Sequence, residues 1–410
     1  MRLNAQLDVD VVALEADDAV SVLLELAAPV ADAARTRPSS TLQVVLDRSG
    51  SMAGDRLDAA LAALDALVAR LDPTDHFGLV AFDDAVQVVV PAGPLRDKPA
   101  VREAIAAVVP GGMTNLSAGY LRGLQEARRV AGPGGATVLV LSDGHANAGV
   151  TGHDALAGLA AGARRHGVTT STVGLGLDYD EALLAAVSAG GAGNAGFAED
   201  GDACGQLVAA EADGLLDRVV QAASLVIRPT ADVSTVTLHN ELPVSPIEGG
   251  LMVELGDLFG GEQRKVLVEL AIPAMPALGP APVCAFELTW TELPSFETHT
   301  LTHPVSVNVV PGDEAAGRIP HPTVVSEKAF QSLQRAKREA AERLRGGDVG
   351  GFDDVVARAT GAVSAAPRSA DLDAEVTLLA DLRAEAAAGG ASRVAKFTEA
   401  DVHRKRRRGR

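Results

Sequence analysis

The sequence predicts an α/β protein in which a doubly wound, Rossmann-like domain is inserted into an antiparallel β-sandwich and followed by a C-terminal helical segment. Three observations predict it. Between residue 41 and about residue 223, short apolar runs alternate with Ala/Leu-rich amphipathic stretches, the pattern of a mainly parallel sheet covered on both faces. On either side lie apolar stretches broken by polar, Pro or Gly clusters, which read as antiparallel strands. Helical periodicity returns only from about residue 325.

With 410 residues, 47% apolar and 22% charged, the chain is long enough for several cores without disulfides or structural metal. Aromatics are 3%, so Val, Leu and Ala must build the interior. Acids outnumber bases 54 to 36, a formal charge of −18, which excludes non-specific DNA binding by the body of the protein. Cys204 and Cys284 are too few for a disulfide framework, no Cys/His cluster has zinc-site spacing, and both cysteines read as small core residues. Residues 1–13 lack the apolar centre of a secretory signal and no run of 18 apolar residues occurs. The expectation is a cytoplasmic protein without a membrane span.

Taken in order, residues 1–35 form a hairpin: Leu7, Val9 and Val11 alternate with polar residues, and 20–26 follows a turn at 15–18. Having no other β partner nearby, it is assigned to the sandwich, with 35–40 as linker. The inserted domain spans 41–223. Its strands are 42–46, 78–82, 86–90, 137–141 and 169–173, and its helices 57–71, 101–108, 116–130, 155–165, 181–187 and 202–220. The strands flanking Asp83-Asp84 are too tightly joined for a crossover and must be antiparallel. The sandwich continues over 224–312 with strands 233–238, 251–255, 265–272, 283–290 and 305–310. A helical bundle covers 322–388, where Ala329, Leu333, Ala336, Ala340 and Leu344 share a face. Gly346-Gly347 and Ala366-Pro367 divide it into three helices. The tail 389–410, with six Lys/Arg among its last eight residues, is expected to be disordered and solvated.

The chemistry concentrates at strand ends. The first strand of the inserted domain ends in Asp47-Arg48-Ser49-Gly50-Ser51, and ligands of open α/β sheets bind outside the carboxyl ends of the strands. Pro110-Gly-Gly-Met-Thr114-Asn115 precedes a helix, and Ser142-Asp143-Gly144 ends another buried strand. Asp47, Ser49, Ser51, Thr114 and Asp143 would converge as oxygen donors, a set suited to a small hard cation and leaving one position for water or an incoming acid. Helix capping is the plain alternative for the Asp and Ser residues and for Thr114-Asn115. His145 reads as a solvated loop residue, Asp83, Asp84, Asp178 and Asp180 as turn residues, and Trp290 and Phe286 as sandwich core. Gly132–Gly135 lacks the Lys-Ser/Thr of a phosphate-binding loop.

Asp47-x-Ser49-x-Ser51, Thr114 within Gly-Gly-x-Thr-Asn-Leu, and Asp143-Gly at a strand end, in that order, resemble the von Willebrand factor A (VWA) domain of bacterial intracellular type and its metal-ion-dependent adhesion site. The resemblance covers about 41–223. It implies that Asp47, both serines and Thr114 surround a divalent ion, that Asp143 acts through water, and that a partner's Asp or Glu supplies the missing ligand. Met113 departs from the polar residue frequent in bacterial relatives, a change of rim. The flanking β segments are similar in layout to the sandwich that carries this domain in integrin β subunits.

The function this implies is a non-enzymatic, metal-dependent protein-binding module using Mg²⁺ (or Mn²⁺ or Ca²⁺) within a larger intracellular assembly, with an AAA+ ATPase as a candidate partner. Nucleic acid is left open for the basic tail alone. Two alternatives stand beside it: a metal-dependent hydrolase in which Asp143 or His145 activates water on the same ion, and an assembly scaffold acting through the C-terminal helices with a structural metal.

Overall fold

The computed structural model describes residues 1–30, 38–143, 146–177 and 179–407. Residues 31–37 with half of the expected linker, Gly144, His145, Asp178 and the last three residues of the tail lie outside them. The chain divides into two compact units, one of Met1–Asp32, Arg218–Thr398 and Lys405–Arg410, the other of Ala33–Asp217 with Glu399–Arg404.

The N-terminal segment forms three strands, β1 (Arg2–Leu7), β2 (Val11–Ala13) and β3 (Asp18–Ala27), with β1 and β3 antiparallel. The second unit then runs β4 (Thr41–Asp47), α1 (Asp55–Arg70), β5 (His76–Phe82), β6 (Val86–Pro94), α2 (Lys98–Ala106), α3 (Leu116–Val130), β7 (Ala136–Ser142), α4 (His153–Arg164), β8 (Val168–Leu175), α5 (Glu181–Gly190), β9 (Ala192–Ala198) and α6 (Gly201–Leu216). Its sheet has the order β6-β5-β4-β7-β8-β9, and only β6 is antiparallel to its neighbour. Every residue of β4 is buried because helices cover both faces. Val44 and Leu46 meet Leu57, Leu64 and Leu67 of α1 on one side, and Val45 meets Leu116, Tyr120 and Leu124 of α3 on the other. The chain leaves β4 for β5 on one flank and returns to β7 on the opposite flank, so a crevice opens at their carboxyl ends.

The first unit continues with β10 (Arg218–Pro229), β11 (Thr235–Leu238), β12 (Val244–Ile247), β13 (Gly250–Phe259), β14 (Gln263–Ile272), β15 (Gly279–Glu292) and β16 (Glu297–Val310). Two sheets, β1-β3-β14-β11 and β12-β13-β10-β15-β16-β2, enclose one core in which Val22, Leu24, Val266 and Val268 face Leu225, Ile227, Phe286 and Leu288. All pairs are antiparallel except β2 with β16. Trp290 belongs to this core and stacks on His299 at 5.3 Å between ring centres. Cys204 and Cys284 are buried free thiols, pushed up by burial to about 11 and about 12, which makes them inert packing residues.

The helical segment comprises α7 (Gly312–Ala316), α8 (Pro322–Arg345), α9 (Val349–Val363), α10 (Ala370–Glu385) and α11 (Ala391–Arg407). The expectation of a disordered tail over 389–410 is therefore corrected for 391–407. After a kink at Gly389 (φ 100°), α11 buries Val394, Ala395 and Val402, an apolar face that the basic run conceals. Its Lys405 and the fully buried Lys337 of α8 share the Glu375 carboxylate, Lys337 Nζ standing 2.6 Å from Oε1. Removing one member of a buried ion pair leaves the other uncompensated. Glu375→Gln is accordingly expected to lower stability by about 3 kcal/mol or more in urea unfolding of the full chain. An unchanged midpoint would show that Lys337 finds another acceptor.

Helix α8 lies on the outer face of the β3/β14 sheet over a small apolar contact of Leu23, Leu267 and Val324, ringed by ions. Lys328 pairs with Glu269, Lys265 Nζ lies 3.3 Å from Glu327, and Arg338 lies 2.6 Å from Glu241. His239 sits among them, 3.5 Å from Glu269 and 3.4 Å from an Arg335 nitrogen. Burial lowers its pKa from 6.5, Lys328 and Arg335 add to this, and Glu269 opposes it. Below pH 6.5 the unfolded chain thus takes up the proton first, so this histidine's contribution to stability is lost as pH falls. The stability advantage of wild type over His239→Gln should shrink from about pH 7 to about pH 5. Parallel denaturation series would refute this if the gap stayed constant.

Candidate metal centre

Parallel pairing sets Leu46 of β4 beside Leu141 of β7, so the next residues, Asp47 and then Ser142-Asp143, emerge side by side at the crevice. Asp47 Oδ1 accepts from the Ser49 N–H at 2.8 Å, and Oδ2 accepts from the Ser142 hydroxyl at 2.6 Å. Ser49 Oγ lies 3.2 Å from Ser51 Oγ, which donates to Asp143 Oδ1 at 2.9 Å. Arg56 Nη1 reaches Asp143 Oδ2 at 2.5 Å. Four of the five sequence-predicted residues thus form one hydrogen-bonded chain. Burial is the largest influence on Asp47 and pushes its carboxyl above 3.8. The Ser142 and Ser49 bonds pull it down, and the neighbouring Asp143 carboxylate pushes it up.

Thr114 arrives through the backbone. The Gly111 N–H donates to Arg48 O at 2.7 Å and the Gly50 N–H to Gly112 O at 2.9 Å, stitching its loop to the Ser49 turn. From the other side, Asn147 Oδ1 accepts from the Thr114 N–H at 3.0 Å. Glycine is required at 111 because a Cβ there would stand 1.7 Å from Asp83 Oδ2. Asp83 is more than a turn residue. It accepts from the Ala85 N–H at 2.7 Å and the Gly112 N–H at 3.3 Å, with Arg48 Nε at 3.3 Å. Burial raises its carboxyl, but these donors outweigh that and hold it below the usual carboxylate range.

The capping alternative holds for Asn115, which accepts from the Ala118 N–H at 3.1 Å at the start of α3. It fails for Asp47, Ser49 and Ser51. Helix α1 begins only at Asp55, its N-cap is Gly54, and no side chain caps it. Asp180 caps α5. His145 lies outside the described residues.

Sequence reasoning missed Ser142, Asp83, Asn147 and Arg56. Arg56 had a signal: a cation in the first turn of a helix opposes the helix dipole, so its presence at that point asks for an acidic partner. Among the described residues, no group of three or more His, Cys, Asp or Glu is placed to hold a metal, so a cation reading depends on the hydroxyls. Two carboxylates and three hydroxyls, all hard oxygen donors on three loops tied together, fit Mg²⁺ or a similar ion.

Comparison with known proteins agrees with this layout. Residues 42–210 match the von Willebrand factor type A domain family. Uncharacterized protein sll0103 of Synechocystis sp. is 25% identical over 65% of this chain and 65% of its own length. Uncharacterized protein YfbK of Escherichia coli is 31% identical over 38% of this chain and 28% of its own. The alignments thus span less than two thirds of either relative. Among solved structures, a von Willebrand factor type A protein from Catenulispora acidiphila superimposes with a TM-score of 0.69 over 93% of this chain and 88% of its own, at 15% identity. The ArnB paralog VWA2 from Sulfolobus acidocaldarius gives 0.63 over 97% and 96%, at 16% identity. At these identities the likeness is one of fold, extending beyond the matched domain to the flanking β and helical regions.

Burial penalises the Asp47 carboxylate in the metal-free fold, and a bound cation would offset that penalty. Asp47→Asn preserves the shape and can still accept from the Ser49 N–H. The metal-free variant is expected to melt at or above the wild-type temperature, whereas added Mg²⁺ raises only the wild type. A variant that melts well below wild type without metal, or that Mg²⁺ still stabilises, contradicts this.

Proposed function

Residues 42–210 form a von Willebrand factor type A domain, and from that premise we propose that the chain is a non-enzymatic, metal-dependent protein-binding module. The observation that carries the reading is the hydrogen-bonded chain Asp47–Ser49–Ser51–Asp143 at the crevice between β4 and β7. Asp47, Ser49, Ser51 and Thr114 would hold a divalent cation, Mg²⁺ or else Mn²⁺ or Ca²⁺, with Asp143 acting through water. When bound, the ion supplies a Lewis-acidic corner for an outside carboxylate. The neutral hydroxyls matter here, because they hold a cation without cancelling its charge.

The chain's own residues also shape the partner. Met113, 60% exposed, adjoins Thr114, and Val150, 45% exposed, is tied by its N–H to Ser117 Oγ at 2.9 Å. An acidic side chain flanked by apolar ones matches such a rim. An AAA+ ATPase as the partner, and a location in the cytoplasm, rest on the family resemblance. Among the described residues no helix is long and apolar enough to cross a membrane. For the hydrolase alternative, Asp143 is already engaged by Ser51 and Arg56. The scaffold alternative would place binding in the helices after residue 322.

Calorimetric titration of the full chain with Mg²⁺ and Mn²⁺, followed by affinity capture with and without chelator, tests the reading. Binding of metal is expected, with a partner lost on chelation. Thr114→Ala should weaken capture roughly tenfold, about 1.4 kcal/mol. Absence of any metal heat, or capture that is indifferent to chelator and to Thr114→Ala, would overturn it.

A further inference from the structure

We infer that Arg56 is a positioning residue that holds Asp143 back from direct ligation and so keeps one corner of the site open to an external carboxylate. The inference rests on the metal reading above and deepens it. Both oxygens of Asp143 are claimed, from opposite sides: Oδ1 by the Ser51 hydroxyl at 2.9 Å and Oδ2 by Arg56 Nη1 at 2.5 Å. The Asp143 side chain has no exposed surface, while Arg56 is one third exposed. A buried carboxylate needs its charge partner, and a charge-assisted bond is among the stronger ones a protein makes. Turning Oδ2 toward a cation would break that bond and leave the guanidinium without this acceptor.

Two further observations bear on this contact. At Gly176, just past the end of β8, φ is +78°, and a Cβ there would stand 2.9 Å from Cζ, Nε and Nη2 of Arg56. The absent side chain is the seat of the guanidinium. Arg56 is also the second residue of α1, where a cation works against the helix dipole.

The consequence has a sign that a supporting role would not produce. With Arg56 in place, Asp143 faces the ion from a distance and the ion keeps more of its charge. Without it, Asp143 is free to ligate directly, which tightens the hold on metal, fills the vacant corner and disfavours an outside acid. Metal affinity and carboxylate affinity should therefore move in opposite directions. Loss of an ordinary supporting partner loosens a metal site, commonly by ten- to a hundredfold, and a misfolded variant would lose both affinities together.

The test uses the full chain as wild type, Arg56→Gln and Arg56→Lys, with Mn²⁺ as the metal and acetate as the carboxylate probe. Mn²⁺ affinity is read by titration and its bound water by proton relaxation. Arg56→Gln removes a positive charge beside the site and is expected to bind Mn²⁺ roughly tenfold tighter, with fewer bound waters and weaker displacement of water by acetate. Arg56→Lys, keeping the charge without the fork, should lie between. If wild type binds Mn²⁺ and Arg56→Gln binds it equally or more weakly, with the same water count, the role given to Arg56 is wrong while the metal reading stands. If wild type binds no Mn²⁺, the metal reading fails and this inference falls with it.

Discussion

The central constraint is the burial of two carboxylates, Asp47 and Asp143, at the ends of adjacent parallel strands. Pairing of β4 with β7 fixes their approach, and both side chains are almost wholly buried. Each oxygen must then be met from within. Ser49 N–H, Ser142, Ser51 and Arg56 supply the four bonds. Those donors come from β7, the turn after β4 and the first turn of α1, so satisfying the two acids also locks three elements together.

A second layer of the same logic organises the rim. Asp83, at the end of β5, ties its own turn to Arg48 and to the Gly112 N–H. The loop bearing Thr114 is then held by backbone bonds on one side and by Asn147 on the other. The Thr114 backbone is thus fixed through its neighbours, and a cation arriving there would meet a largely assembled set of donors. Preorganisation of this kind lowers the ordering cost that a weakly charged donor set would otherwise meet on binding.

Much of the fold was legible because it is written in local patterns. The buried runs of β4, β5 and β7 are largely apolar, and α3 matches its expected limits, 116–130. The failures have physical causes. Strand β9, Ala-Gly-Asn-Ala-Gly-Phe-Ala, carries almost no β-branched residue and is held by pairing with β8 rather than by propensity. The helix expected over 202–220 ends at Leu216, and Val219-Val220 instead open β10, whose partners β13 and β15 lie dozens of residues away. In α11 the basic run outweighed the spacing of Val394, Ala395 and Val402.

The site divides along the same line. Its motif residues were visible as short patterns at strand ends, whereas Ser142, Asp83 and Arg56 act across 95, 29 and 87 positions of sequence and could be placed only by the sheet. The divide has a chemical meaning. On the metal reading, four of the visible residues would touch an ion and Asp143 would act through water, so their types are dictated by coordination chemistry. The concealed ones set how each acid is held. Ser142 and the Ser49 N–H give Asp47 neutral donors, whereas Asp143 is given the cation of Arg56. On the metal reading, that asymmetry would give the two acids different work: Asp47, held by neutral donors, suits direct contact with a metal, and Asp143, already paired with Arg56, suits contact through water.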